Sequence, residues 1–295
     1  MVTVSNNKWQ KYLAVTIVVI AIIGLGKLMW LDQIYLKPQN VFWGMINQNL
    51  QTGSITKTVV QKNNDLQSIQ QVTSIQYKSE IYARTVVTIQ DKTKGNESLI
   101  ITDTYGTPTQ DFLKYKTIKS AGNNTPKNVE GVWSVNTASS QQQVQILSDA
   151  ILSSPLIFGY LNSNKRTDLI NQMHFNSVFN IDYSAVNKND KVDGKKAYSY
   201  KLTIDLAKYM SVYRNYLSMI GQGNLAGQLG QPQAGATYKA TLYVNALNRQ
   251  PLRLVPEGVT TGEGFSNIDS NNITKPPKDA KLSILQLQNR LSNQP

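Results

Sequence analysis

The chain has 295 residues, with 30 basic and 18 acidic side chains, one histidine and no cysteine. Without cysteine there is no disulfide, thiolate metal site, cysteine nucleophile or lipid-modified cysteine. The net charge of +12 suits anionic surfaces, but the lysines are scattered and neither a basic helix nor an aromatic–basic RNA motif appears, which sets nucleic acid aside as a partner.

Residues 12–31 form an apolar span interrupted by one charge, Lys27. Its length of about 20 residues is what an α-helix needs to cross a bilayer core. Lys8 and Lys11 precede it with no acidic residue, so the N-terminus is expected in the cytoplasm and the rest outside. The alternative is a cleaved signal peptide with its apolar core over 13–26 and Gly24-Leu25-Gly26 as a poor cleavage site. The run continues past Lys27, however, and Trp9, Tyr12 and Trp30 bracket the span as interfacial aromatics do. The expected organisation is a cytoplasmic 1–11, a signal-anchor helix 12–31, a linker 32–39, an extracytoplasmic domain 40–277 and a C-terminal helix or tail 278–295. Beyond residue 39 there remain 26 basic and 17 acidic side chains, a net of +9. Anionic membrane surface or wall polymer is therefore an expected partner.

Residues 40–50, NVFWGMINQNL, carry helical spacing. From Ser54 the pattern turns to strands: 55–60, then a period of two held from Ile75 to Ile89, then 98–104, 112–118 and 129–135 around Trp133. The middle predicts a helix from Ser139/Ser140 to Leu152 and another over 165–174. A strand over 176–184 follows, and Asp193-Gly194 is a hairpin signal. Tyr198, Tyr200, Leu202 and Ile204 alternate on one strand face. Leu206, Tyr209, Met210, Tyr213, Leu217 and Ile220 make a helical stripe over 206–220. Residues 221–235 read as an unpatterned Gly/Gln loop. Strands are expected near 238–244, 251–256 and 258–268, and a final helix over 279–291. The fold class is α+β: a strongly curved antiparallel sheet covered by helices, behind one N-terminal transmembrane helix.

Catalytic signatures are missing. His174 is the sole histidine and lies beside an apolar face, where a structural role is expected. A serine triad or histidine zinc site has too few parts. There is no GxSxG, P-loop or dinucleotide fingerprint, and Gly221-Gln222-Gly223 and Gly262-Glu263-Gly264 read as turns. Residues 187–194 place lysines where a calcium loop wants carboxylates. No cofactor, metal or catalytic residue is expected, and an enzyme acting on wall polymers is the least favoured class.

Residues 197–210, AYSYKLTIDLAKYM, and 238–255, YKATLYVNALNRQPLRLV, followed by Ile273-Thr274-Lys275-Pro276, resemble the lipoprotein-carrier superfamily: the periplasmic lipoprotein carrier and actinobacterial glycolipid-carrier lipoproteins. The resemblance is strongest over 197–277 and covers most of the outer domain loosely. It implies a half-barrel of antiparallel strands whose concave side, under helices, holds acyl chains. The chain departs from those lipoproteins in lacking their anchoring cysteine, so local handover, sensing or a structural role is expected rather than long-range carriage. The expected function is non-catalytic binding of a membrane lipid or lipidated molecule in an apolar cavity, with an envelope scaffold or sensor on the same fold as the alternative. Helix 206–220 would be a lid: Tyr209, Met210, Tyr213 and Leu217 line the cavity, with Leu202 and Leu242 opposite. Simple core packing is the competing reading of those Tyr and Met side chains.

Overall fold

Alternating strands joined by short turns build one open, curved antiparallel sheet. It is seen in a computed structural model that describes residues 16, 31–120, 128–137, 144–275, 278 and 282–292. The expected transmembrane span at 12–31 falls outside them but for Thr16 and Leu31. Among the described residues no helix is long and apolar enough to cross a membrane. The first meander runs β1 (Ser54–Lys62), β2 (Gln67–Gln76), β3 (Tyr82–Asp91), β4 (Ser98–Gly106), β5 (Gln110–Ser120) and β6 (Ser134–Thr137). The second holds β7 (Phe179–Ile181), β8 (Asn187–Val192), β9 (Lys195–Asp205), β10 (Thr237–Asn245), β11 (Gln250–Pro256) and β12 (Glu263–Ser266). The two meet where β1 pairs with β12, Thr56 opposite Ser266 and Val59 opposite Glu263. A two-residue strand, β13 (Leu282–Ser283), adds to the far edge in parallel with β6.

Four helices cover one face: α1 (Pro38–Asn49), α2 (Ile146–Leu152), α3 (Ser163–Phe175) and α4 (Leu206–Met219). Pro38 opens α1, where its missing N–H costs nothing. Asn162 and Asp205 cap α3 and α4, each side chain accepting from a backbone N–H three residues on. The apolar faces of these helices meet Ile55, Ile75, Ala83, Tyr200, Leu202, Ile204 and Leu242 of the sheet in one core cluster. A last helix, α5 (Ile284–Ser292), buries Leu287 against a smaller cluster with Val129 and Leu282.

The structure revises several expected boundaries. The alternation from Ile75 to Ile89 is two strands, not one, because the chain reverses at 77–81, where Ser79 takes a φ of 72°. The inward parity survives the reversal, since Ile75 pairs with Ala83 and Thr73 with Thr85. The strand expected over 176–184 shrinks to β7, that over 129–135 to β6, and that over 258–268 to β12. The Gly/Gln loop contains a 3-10 helix over Gly223–Gln228 that buries Leu225. Asp193 and Gly194 both take positive φ, 49° and 76°, as a two-residue hairpin turn with this twist requires.

Candidate functional site: the concave groove

The six residues expected to line a cavity do come together. Leu202 and Leu242 on the sheet, and Tyr209, Tyr213 and Leu217 on α4, are each at most 5% exposed, and Met210 packs half-buried against the same cluster. Tyr209 stacks on Tyr213 at 5.3 Å, and Tyr213 in turn lies 5.3 Å from Tyr216. The Tyr213 hydroxyl donates to the Ile151 carbonyl at 2.9 Å, and the Tyr216 hydroxyl donates to the Phe158 carbonyl. Burial raises the pKa of all three phenols. These side chains fill the space between helix and sheet, and none of the six lines the groove described next.

That groove, about 340 Å³, lies on the helix side of the sheet at the seam between the two meanders. Its walls come from Val59 and Gln61 of β1, Gln71 and Thr73 of β2, Tyr238, Leu254, Pro256 and the segment with Val259, Thr261 and Gly262, with Ser153 and Pro155 on the helix side. Its floor is an ion pair. The Lys57 ammonium donates to the Ala150 carbonyl and the Ser153 hydroxyl, both at 2.7 Å, and lies 3.6 Å from Glu263. Burial pulls the Lys57 pKa down, opposed by Glu263. The other Glu263 oxygen accepts from Ser154 at 2.5 Å. Lys57 thus satisfies the Ala150 carbonyl near the C-terminal end of α2, where a cation is favoured, and ties that helix to β1 and β12. All three of its N–H directions have partners, so Ser153 beside it reads as a helix-end contact rather than an activated nucleophile.

From Gln61 the groove opens onto a row of isoleucines. Gln61 is registered opposite Ile69, Ile69 opposite Ile89, Ile89 opposite Ile100, and Ile100 opposite Ile118. The alternation places this row on the same face as Lys57, Val59, Gln71 and Thr73. Ile69 and Ile89 are 39% and 40% exposed, although they stand on the face that is apolar core elsewhere. Ile89, Ile100 and Ile118 fall within expected strands, whereas Ile69 lies on a part of β2 outside every expected strand. Their alignment depends on three registers fixed by turns, and so was missed, as was the burial of Lys57. Among the described residues no group of three or more His, Asp or Glu side chains could hold a metal ion. His174 stacks on Trp43 at 3.6 Å, away from the groove.

No protein-family model matches the chain, and no curated protein matches it. Among solved structures it is similar to the crystal structure of LprF from Mycobacterium bovis, with a TM-score of 0.40 and 15% sequence identity over 81% of this chain and 96% of that one. The likeness is a distant one.

Proposed function

We propose that this chain is a membrane-anchored protein of the extracytoplasmic face. It holds the apolar part of a lipid or lipidated molecule along the concave surface of its sheet, without catalysis. One observation carries the reading: a cross-strand row, Ile69-Ile89-Ile100-Ile118, open to solvent at Ile69 and Ile89, continues directly from an open groove of about 340 Å³. Apolar surface left open on a concave face beside a pocket is a recognition surface for apolar ligands. The anchor is the span at 12–31, with the N-terminus inside. The scaffold reading has its own support, in that the space beneath α4 is filled by Tyr209, Tyr213 and Leu217. The groove decides between them. Native mass spectrometry of the full chain released from detergent should show a bound acyl species, and Ile89→Lys should abolish both that adduct and the binding of an apolar fluorescent dye. Because Ile89 is 40% exposed, its substitution should change stability by no more than about 0.5 kcal/mol. A ligand-free spectrum together with dye binding unaltered by Ile89→Lys would establish the scaffold.

A further inference from the structure

The segment that follows the expected membrane span is not a free tether. Residues 31–35 form one turn of π-helix that folds back onto the turn between β10 and β11. The Tyr35 hydroxyl donates to the Leu247 carbonyl at 2.9 Å. The Arg249 guanidinium lies 3.9 Å above the Tyr35 ring and reaches the Tyr35 carbonyl at 3.5 Å. Gly44 on α1 makes room for this, since a Cβ there would come within 2.5 Å of the Arg249 side chain. Asn40 donates to the Ile34 carbonyl at 2.6 Å. The end of the apolar span is thereby fixed to one end of the sheet.

That end has the composition of an interfacial surface. Ile34 and Leu247 are 50% and 66% exposed. Val244 pairs with Tyr198, so the turn that carries Leu247 lies at the same end of the sheet as Lys195 beside the β8–β9 turn. Lys37, Lys191, Lys195 and Lys196 are all exposed, and the same segments hold two aspartates, Asp32 and Asp193. Exposed aliphatic tips ringed by lysine suit the boundary between acyl chains and anionic headgroups.

We infer that the Ile34–Leu247 end of the domain, with Lys37, Lys195 and Lys196, docks on the bilayer from which the chain emerges. The groove therefore opens away from it. Tyr238 and Pro256 lie at the opposite ends of β10 and β11. From Asn245 to Tyr238 the strand rises about 23 Å. The groove then faces a partner or layer beyond the membrane surface, rather than the lipids of its own leaflet. This rests on the anchor reading proposed above.

The absence of cysteine makes single spin labels unambiguous. Leu247→Cys, Val259→Cys and Ile22→Cys would each be labelled in the full chain, reconstituted in vesicles of phosphatidylcholine with a minority of phosphatidylglycerol. Collision rates with oxygen and with a water-soluble nickel chelate report depth. The expected result is an oxygen-to-nickel ratio at 247 several-fold above that at 259, with 22 deepest of all. If 22 is deep but 247 is as aqueous as 259, docking is overturned while the anchor stands. A lipid-exposed 259 means that the domain sits the other way up. An aqueous 22 removes the anchor, and the docking with it.

Discussion

Asp103 is fully buried on the outer face of the sheet, yet it is the hub of three cations. Arg84 grips it through two bonds of 2.8 and 2.7 Å, with Lys116 at 3.2 Å and Lys114 at 3.9 Å. Burial pushes its carboxyl pKa up, but Arg84 and Lys116 together outweigh that and hold it below the ordinary carboxylate range. A carboxyl depressed on folding stabilises the fold above its ordinary pKa, and that contribution is lost as pH falls through the depressed value. Asp103→Asn should therefore cost about 1.5–3 kcal/mol at neutral pH, the scale of hydrogen bonds to a charged group. The gap to wild type in chemical denaturation should narrow below about pH 4. A gap that stays constant down to the acid limit would show that the loss is one of shape, not charge. His174 offers a second test. Burial against Trp43 lowers its pKa from 6.5. As the chain's one histidine, it should give a single imidazole resonance titrating below that value by NMR, moving up toward it in Trp43→Ala.

At the scale of elements, the caps carry measurable weight. The Asn162 side chain accepts from the Lys165 amide at 3.0 Å and so satisfies one of the four orphan N–H groups of α3. Asn162→Ala should lower stability by about 1 kcal/mol, read as a shift in denaturant midpoint without a change in slope. A slope change would mean that α3 had detached rather than frayed. Elements of this kind were readable in advance because their signals are local: Asp193-Gly194 for a hairpin, the 3.6-residue stripe of 206–220 for α4, the alternation of Tyr198 to Ile204 for β9. What failed was anything set by distant partners. Ile75 to Ile89 alternates without a break through a chain reversal, since the parity of the turn keeps inward residues inward on both arms. β13 has only two residues and exists because β6 offers it an edge. The stripe of α4 is compatible in sequence with core packing, its plainer reading, and with a lid, and only the facing Leu202 and Leu242 show that the space between is occupied. Lys57, polar and in a strand, gives no hint that a helix end 93 residues away will bury it.

The whole molecule has one narrow seam. Four registered pairs join β1 to β12, and only two join β12 to β11. Both meanders hang on this four-residue strand, and it also carries Glu263 at the groove's floor. Gly262 sets its position. A Cβ there would come 2.4 Å from the Leu254 carbonyl oxygen and 2.8 Å from the Val255 side chain, so the backbone itself must yield. Gly262→Ala should then lower stability by about 1–3 kcal/mol, as overpacking does, and splay the seam so that Glu263 leaves Lys57. Leu217→Ala, at a fully buried position under α4, should cost at least as much, about 2–5 kcal/mol, without touching the groove. Comparing dye binding of the two variants well below their melting temperatures separates groove from core. The groove reading expects binding lost in Gly262→Ala and kept in the less stable Leu217→Ala. The opposite pattern would place the ligand beneath α4, among Tyr209, Tyr213 and Leu242, in a chamber that opens only when that helix lifts.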